Sequence, residues 1–271
     1  MSVARSPLVV AHRGSSHAVA EHTLAAYARA IEEGADALEC DVRLTRDGHL
    51  VCVHDRRIDR TSNGHGLVSE FELADLYGLD FGSWHQARSR SGAGGWSTDA
   101  TEPPPTSVLT LEQLLGIVLD APRQVRMVIE TKHPTRYAGL VEQQLVRVLR
   151  RFGLDNPSDR DSSTVTVMSF APIGIRRIRL LAPALPTVLL MDRVPPTRRD
   201  GSLPTGVGIA GPGMRVIRAH PSYVERVHAR GHRVYVWTVD EPDDVELALS
   251  LGVDAVITNR PVQVLERLGR R

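Results

Sequence analysis

The 271-residue sequence has little of several features that mark particular classes of protein. Its two cysteines, Cys40 and Cys52, are too few for a disulfide framework, which predicts reduced core residues in an intracellular protein. The formal net charge of +1 argues against a general binder of nucleic acids or membrane surfaces. No apolar run approaches the length of a membrane span, and the N-terminal one is too short for a signal-peptide core. We therefore expect a soluble, cytoplasmic protein.

Lysine is almost absent. Of the 33 basic residues, 32 are arginine and one, Lys132, is lysine. On this background a single lysine suggests a task that a guanidinium cannot perform, such as placing a compact point charge on a phosphate. The alternative is chance retention of a surface lysine.

A Walker-type nucleotide-binding loop is also missing. The hydrophobic content of 42% is enough for a sizeable core. The length suits either two small domains or one α/β barrel. Near-continuous apolar strands that alternate with helices predict a parallel sheet covered by helices. About eight strands in this length favour a closed (β/α)8 TIM barrel over an open sheet, as a single domain.

The predicted elements keep this alternation, with one interruption. Strands are expected at 7–11, 37–42, 125–132, 164–170, 187–191, 216–218, 233–239 and 255–258, and helices at 24–33, 111–119, 137–152, 172–181, 221–230, 242–251 and 262–268. Between about 56 and 107, turn and breaker residues surround one helix-like piece at 69–76. We interpret this stretch as a small insertion after the hairpin that follows the second strand, not as a second domain.

That hairpin is predicted where Asp47-Gly48 lies between two alternating runs. A type I′ turn favours this dipeptide because it needs positive φ at both central residues. A two-residue turn here places Asp41 opposite His54, and Glu39 shares the face of Asp41 because strand side chains alternate. The sequence therefore predicts two carboxylates and an imidazole on one surface.

Carboxylates recur at the ends of predicted strands, where the catalytic residues of a (β/α)8 barrel lie. They are Glu39, Asp41 and Glu130. Three carboxylates without a cation would repel one another strongly, and all-oxygen ligation suits a hard divalent cation, Ca²⁺ or Mg²⁺. Zn²⁺ is disfavoured because no cysteine is suitably placed. We expect one divalent cation at this rim.

Cations and histidines at the same rim indicate the chemistry. Arg13 and Lys132 suit an anionic group such as phosphate. His12 and His54 can supply the general base and the general acid. Trp237, at another strand end, is either a substrate wall or ordinary packing. Together these groups predict metal-assisted phosphoryl transfer or hydrolysis.

Each residue also has a simpler interpretation. A histidine at a strand end is often only a hydrogen-bonded structural residue, and Glu39 with Asp41 can be a solvated strand face. The coincidence of so many polar groups at successive strand ends favours a site. The other nine of the 11 histidines, among them His17, His22, His49 and His133, are assigned no role.

A set of short motifs runs in order from residue 9 to residue 261. They are His12-Arg13-Gly14, Glu21-His22-Thr23, 38–45, Asp47-Gly48, His54-Asp55, Arg60-Thr61 with Asn63-Gly64, 109–112, 129–132, Ser169-Phe170, 236–239 and 252–261. Any one of them is weak. As an ordered set over nearly the whole chain they resemble the glycerophosphodiester phosphodiesterase family.

The resemblance implies a (β/α)8 barrel that cleaves glycerophosphodiesters, such as glycerophosphocholine or glycerophosphoethanolamine, to sn-glycerol 3-phosphate and an alcohol. In that family the cation is thought to activate a glycerol hydroxyl or water for attack at phosphorus. The matching residues have these implied roles: metal ligands for Glu39, Asp41 and Glu130, acid/base catalysis for His12 and His54, and phosphate contacts for Arg13 and Lys132. The expected partner is a small-molecule substrate, without nucleic acid or stable membrane insertion, in a monomer or homodimer.

One motif departs from the family. Pro-Glu-Asn-Thr is usual where this chain has Ala20-Glu21-His22-Thr23, which leaves open how that loop braces the rim. The segment 88–105 fits no motif and lies where head groups would be chosen. Two other functions remain as alternatives: phospholipase D-like cleavage of lysophospholipid or sphingolipid head groups, as in secreted, disulfide-bonded relatives, and a barrel that binds a phosphorylated ligand without turnover.

Overall fold

The computed structural model describes residues 6–85, 106–136 and 139–271. Within them one sheet contains β1 (Leu8–His12), β2 (Ala37–Leu44), β3 (Leu50–Cys52), β4 (Arg126–Thr131), β5 (Val165–Ser169), β6 (Thr187–Met191), β7 (Ile209–Pro212), β8 (Arg233–Val236) and β9 (Ala255–Thr258). All except β3 run parallel, and they close on themselves because β1 pairs with both β9 and β2. β3 pairs antiparallel with the end of β2. The predicted (β/α)8 barrel is confirmed.

Helices cover the outside of the barrel. They are Leu24–Glu33, Leu73–Tyr77, Leu111–Leu119, Leu140–Arg151, Pro172–Leu181, Met214–Ala219, Tyr223–His228, Pro242–Ser250 and Pro261–Arg267. Local sequence sets their ends: the Thr23 hydroxyl accepts the Ala26 N–H where the first helix begins, and Gly34, at φ +96°, ends it. No helix in the described part of the chain is long and apolar enough to cross a membrane.

The inward-facing side chains position the polar groups at one mouth of the barrel. Val10 belongs to the apolar cluster inside the barrel, and because strand side chains alternate, His12 continues that face at the carboxyl end of β1. The strand register pairs His12 with Glu39 and Asp41 with Glu130. Residues from three neighbouring strands are thereby brought together by backbone pairing alone.

The predicted register of the β2–β3 hairpin is wrong by one residue. Leu44 pairs with Leu50, and Asp41 lies opposite Val53, whose N–H donates to the Asp41 carbonyl at 3.0 Å, not opposite His54. A shift of one residue moves every side chain of a strand to the other face. His54 nevertheless lines the barrel mouth, because β3 ends at Cys52 and the chain bends at His54.

The turn explains the difference. Of its two central residues only Gly48 is left-handed, at φ +88°, so the type I′ turn does not form. The Gly48 N–H donates to the Thr45 carbonyl at 3.2 Å, and the Thr45 N–H donates to the His49 carbonyl at 2.9 Å across a longer loop. The Asp47 carboxylate accepts the Thr45 hydroxyl at 2.6 Å and the Leu73 N–H at 3.2 Å. The side chain of Asp47 therefore connects the turn to the start of the helix Leu73–Tyr77.

The strand predicted at 216–218 is also wrong. These residues lie in the helix Met214–Ala219, and the strand is β7, Ile209–Pro212, in the weaker apolar patch before it. A short apolar run does not distinguish a strand from a buried helix. Pairing with the neighbouring strands decides the outcome, since Ile209 pairs with Val188 on one side and Arg233 on the other.

The described residues between β3 and the helix Leu111–Leu119 form short elements. A 3₁₀ turn, Val68–Glu70, and the helix Leu73–Tyr77 replace the single helix predicted at 69–76. Ile58, Leu76 and Val108 form a small apolar cluster with Val51 of β3. The assignment of 56–107 as an insertion in one domain stays a prediction, and the segment 88–105 lies outside the described residues.

Candidate active site

Three buried carboxylates lie together at the carboxyl end of the barrel. Glu39 and Asp41 project from β2 and Glu130 from β4, and one oxygen of each lies within 4.8 Å of the others. Glu130, the most exposed of them, has 6% of its surface accessible. The structure therefore brings together the three residues that the sequence predicted as cation ligands.

Two basic side chains lie against this cluster. Lys132 Nζ is 2.8 Å from Glu130 Oε1 and 3.2 Å from Asp41 Oδ1, and Arg13 Nε is 3.2 Å from Asp41 Oδ2. The ammonium group is a compact charge with three N–H donors, so its single nitrogen can bridge two carboxylates. A guanidinium is planar and would bridge them in a different geometry. This placement supports a specific task for the single lysine.

Burial and mutual repulsion act on the carboxyl groups. Burial and the neighbouring Asp41 charge raise the pKa of Glu130 to about 8 and hold the pKa of Glu39 well above its usual value. Burial would also raise the pKa of Asp41, but the hydrogen bond from His22 and the charge of Lys132 hold it well below its usual range. Burial and the proximity of the other carboxylates therefore disfavour ionisation of Glu39 and Glu130.

The donor set fits a hard divalent cation. Glu39 Oε2 accepts the Arg13 N–H at 3.0 Å, whereas Glu39 Oε1 is buried without a hydrogen-bond partner among the described residues. A buried carboxylate oxygen without a partner is costly in free energy. Ca²⁺ and Mg²⁺ prefer carboxylate oxygens, so Glu39, Asp41 and Glu130 could hold a metal ion.

The ring of His12 is fixed from behind. Its Nδ1 lies 2.7 Å from Asn259 Oδ1, and the Asn259 amide is oriented by donating from Nδ2 to Asp240 at 2.6 Å. Nδ1 therefore carries the proton, and the Nε2 lone pair lies on the side of Glu39, 4.0 Å from Oε2. Burial, together with the Arg13 charge, lowers the pKa of His12 to about 3. A neutral imidazole with a free Nε2 is suited to accept a proton.

His54 is held in the same manner on the other side of the mouth. Its Nδ1 lies 2.7 Å from the Asp55 carboxylate, which also accepts a hydrogen bond from Arg60 at 2.5 Å. Burial lowers the pKa of His54, and the negative charges of Asp41 and Asp55 oppose this shift. Because Asp55 binds Nδ1–H, the Nε2 atom of His54 is left for the cavity that both histidines line.

Glu21 links the two sides of the mouth. Its Oε1 accepts hydrogen bonds from Arg13 at 3.0 Å and from Arg60 at 2.7 Å. Burial opposes ionisation of Glu21, but these guanidinium groups lower its pKa to about 2. A continuous set of charge-assisted hydrogen bonds therefore runs from Asp55, behind His54, to Arg13 beside the carboxylate cluster.

His22, to which the sequence assigned no role, is part of the site. It is 6% exposed, its Nε2 lies 2.9 Å from Asp41 Oδ2, and its Nδ1 lies 2.8 Å from the Tyr27 hydroxyl. Arg13 and His22 both have left-handed backbones, at φ +58° and +61°, which cost energy in residues other than glycine and cluster at functional sites. The residue that departs from the family pattern thus orients a proposed metal ligand.

We expect His22→Ala to weaken the binding of Ca²⁺ or Mg²⁺ by about 10–100-fold, the usual effect of removing a group that orients a ligand. Titration calorimetry with each cation measures this directly. His22→Asn, which restores the usual family residue and keeps a donor for Asp41, is the matched control and should lose less. Equal cation affinity in the wild type and in His22→Ala would contradict the orienting role.

The candidate catalytic residues His12 and His54 line a cavity of about 310 Å³. Its opposite wall includes Phe170, Leu190 and Trp237. Trp237 donates from Nε1 to the Gly211 carbonyl at 2.8 Å, and its ring meets Phe170 edge-on with centroids 5.2 Å apart. Trp237 is therefore packed against its neighbours and also lines the cavity. Its role as a wall for the substrate stays a prediction.

Proton-transfer groups beside a candidate cation site, with fixed positive charges next to them, can cleave a phosphate ester. At the carboxyl mouth of a closed parallel barrel they define a class, the TIM-barrel phosphodiesterases. The model of the glycerophosphoryl diester phosphodiesterase family matches residues 12–263. The chain belongs to this family and is a phosphoric diester hydrolase.

Several known proteins are similar along most of their length. A probable glycerophosphodiester phosphodiesterase 1 of Mycobacterium tuberculosis is 48% identical, covering 96% of this chain and 91% of the relative. A glycerophosphodiester phosphodiesterase of Bacillus subtilis is 32% identical, covering 94% and 84%. A phosphodiesterase from Oleispira antarctica, solved in complex with the product sn-glycerol-3-phosphate, has the same fold, with a TM-score of 0.77 at 23% identity and 97% coverage of each chain.

Proposed function

We propose that the protein hydrolyses glycerophosphodiesters such as glycerophosphocholine and glycerophosphoethanolamine to sn-glycerol 3-phosphate and an alcohol. The reaction uses two histidines and one divalent cation, Ca²⁺ or Mg²⁺. The observation that carries this proposal is the convergence of His12, His54 and the carboxylate cluster on one cavity. The product bound in the Oleispira antarctica relative supports the same substrate class.

The two histidines divide the proton transfers. His12, neutral and with its Nε2 lone pair free, takes the proton of the attacking nucleophile. The nucleophile is either water or the glycerol hydroxyl of the substrate, and in the second case water then opens the cyclic phosphate to sn-glycerol 3-phosphate. His54 gives a proton from Nε2 to the leaving alcohol oxygen, and Asp55 stabilises the protonated ring through Nδ1. The Nδ1 atoms of both histidines are held by fixed partners, so the Nε2 atoms are the ones left to face the substrate.

The remaining groups neutralise charge. Arg13 and Lys132 line the cavity beside the carboxylates and would bind the phosphoryl oxygens. A divalent cation on Glu39, Asp41 and Glu130 would add Lewis-acid stabilisation of the phosphoryl group. Trp237 and Phe170 would form the apolar wall opposite these charged groups.

A panel of glycerophosphodiesters, assayed with and without Ca²⁺, Mg²⁺ and Mn²⁺, tests the proposal. Release of sn-glycerol 3-phosphate from glycerophosphocholine or glycerophosphoethanolamine is the expected result, and parallel assays with lysophospholipids and sphingolipids test the phospholipase D-like alternative. If lysophospholipids or sphingolipids are cleaved and the glycerophosphodiesters are not, the substrate assignment is wrong.

Lys132→Arg is expected to lower kcat/KM by roughly tenfold or more, the scale of one misplaced charge-assisted hydrogen bond. A planar guanidinium cannot bridge Asp41 and Glu130 from the position of the ammonium group. Steady-state kinetics on glycerophosphocholine measures the change, with Arg267→Lys, in an exposed ion pair with Glu246, as the control. An unchanged rate would make the single lysine an accident of composition.

A further inference from the structure

A second, larger cavity adjoins the catalytic one. It measures about 860 Å³ and lies between the loop that follows β6 and the helices that follow β7. Asp192, the first residue after β6, lines both cavities. The larger cavity therefore opens at the carboxyl end of the barrel, beside the active site.

The lining of this cavity is strongly basic. Arg193, Arg199, Arg215 and Arg226 line it, whereas Asp192 is the acidic residue among the described lining residues. Within the described part of the chain, the side chains of Arg193, Arg199 and Arg215 form no ion pair. Arginines nearby are paired, as Arg230 is with Asp200. The cavity thus gathers guanidinium groups that no carboxylate neutralises in the described structure.

The floor of the cavity is apolar and fixed. Val216 and Tyr223 are buried, with 6% and 1% of their surfaces accessible. Arg226 lies 5.9 Å above the centre of the Tyr223 ring, and it donates to the Arg199 carbonyl at 2.6 Å and to the Ser222 hydroxyl at 2.8 Å. The guanidinium of Arg226 is therefore held in place, so an anion that binds there pays a smaller entropic cost for ordering this side chain.

A third cavity, of about 490 Å³, borders the active site on the side of His12 and does not share this character. Its lining includes both acidic and basic residues, and Arg60 is already bound to Glu21 there. It offers no excess of free positive charge. A pocket beside Lys132 is also basic, lined by Arg43 and Arg56, but it measures only about 30 Å³. Of the two larger cavities, the arginine-lined one is the one with an excess of positive charge.

We propose that the arginine-lined cavity binds a second phosphate group of the substrate, so that the preferred substrates are glycerophosphodiesters whose alcohol portion itself carries a phosphate. This inference rests on the proposed function and specifies its substrate class. The first phosphate lies at Arg13 and Lys132, the linker passes Asp192, where its hydroxyls donate to the carboxylate, and the second phosphate reaches Arg193 and Arg215.

The test compares a substrate with one phosphate, glycerophosphocholine, and one with two, bis(glycerophospho)glycerol. The double variant Arg193→Gln/Arg215→Gln should raise KM for bis(glycerophospho)glycerol by on the order of 10–100-fold, since each lost contact to a phosphate is worth roughly tenfold. Its kcat should stay within about twofold, because neither arginine touches the reacting phosphate, and both constants for glycerophosphocholine should be unchanged.

The matched control is Arg230→Gln/Arg267→Gln, which removes the same charge from two exposed ion pairs outside the cavity. Equal losses in both double variants would show that net charge alone steers the substrate and would overturn the proposal. So would a wild-type enzyme that cleaves glycerophosphocholine and gains nothing in KM from the second phosphate. A wild-type enzyme that cleaves neither compound would overturn the proposed function itself.

Discussion

His12→Ala is expected to lower kcat for glycerophosphocholine by about 10²–10⁴-fold, and His54→Ala by a similar factor, the usual contribution of general acid–base groups. Without His12 the attacking hydroxyl has no base near the carboxylate cluster, and without His54 the leaving alkoxide departs unprotonated. KM should change little, because the phosphate charge is bound by Arg13 and Lys132. Steady-state rates of glycerol 3-phosphate release over a range of substrate concentrations separate the two constants.

His65→Ala is the control, since the side chain of His65 is 80% exposed and lies outside the cavity. It should retain the wild-type rate. Circular dichroism of all three variants checks that the barrel is intact. Near-normal kcat in both His12→Ala and His54→Ala would mean that proton transfer is carried by other groups and that the two assigned roles are wrong.

Chelation is expected to have an effect of similar size. Treatment with EDTA should reduce activity by roughly 10²-fold or more, because a bound cation supplies several kcal/mol of transition-state stabilisation. Addition of Ca²⁺ or Mg²⁺ in excess should restore it, and the more effective ion identifies the preferred metal. Turnover that is unaffected by exhaustive chelation would remove the metal from the mechanism.

Glu39→Gln tests the same site without an activity assay. Glu39 is fully buried, and one of its oxygens has no hydrogen-bond partner among the described residues. Replacing the carboxylate with an amide should therefore leave the cation-free protein as stable as the wild type or slightly more so. A ligand that binds only the folded state raises stability by mass action, so cations should raise the Tm of the wild type and raise that of Glu39→Gln much less. Identical shifts in both proteins would place the cation elsewhere.

The sequence was sufficient for the barrel and most of the site. The alternation of apolar strands with helices is set by local sequence patterns, and the same alternation is present in the fold. Polar residues at the carboxyl ends of the strands lie close together because parallel strands end at one rim of the barrel. His12, Glu39, Asp41 and Glu130 were found in this way. The ordered set of motifs indicated the family, and the match of the family model to residues 12–263 confirms the family.

What the sequence could not provide depends on contacts between distant residues. Asp47-Gly48 signals a turn, but the hydrogen bond from the Leu73 N–H to Asp47 decides which turn forms. The role of His22 appears only when the loop that carries it folds under Asp41. The sequence did not reveal the role of Asp240, which accepts a hydrogen bond from Asn259, because no local pattern distinguishes Asp240 from a surface aspartate.

The hydrogen bond between His12 and Asn259 joins residues 247 positions apart, one at the end of the first barrel strand and the other just after the last. A chain still emerging from the ribosome could assemble the carboxylate cluster and place His54 long before it possesses an oriented base. If His12 is the base, competence for hydrolysis arrives only with the final strand. A split version of the protein, divided before β9, should regain turnover only when the two fragments associate.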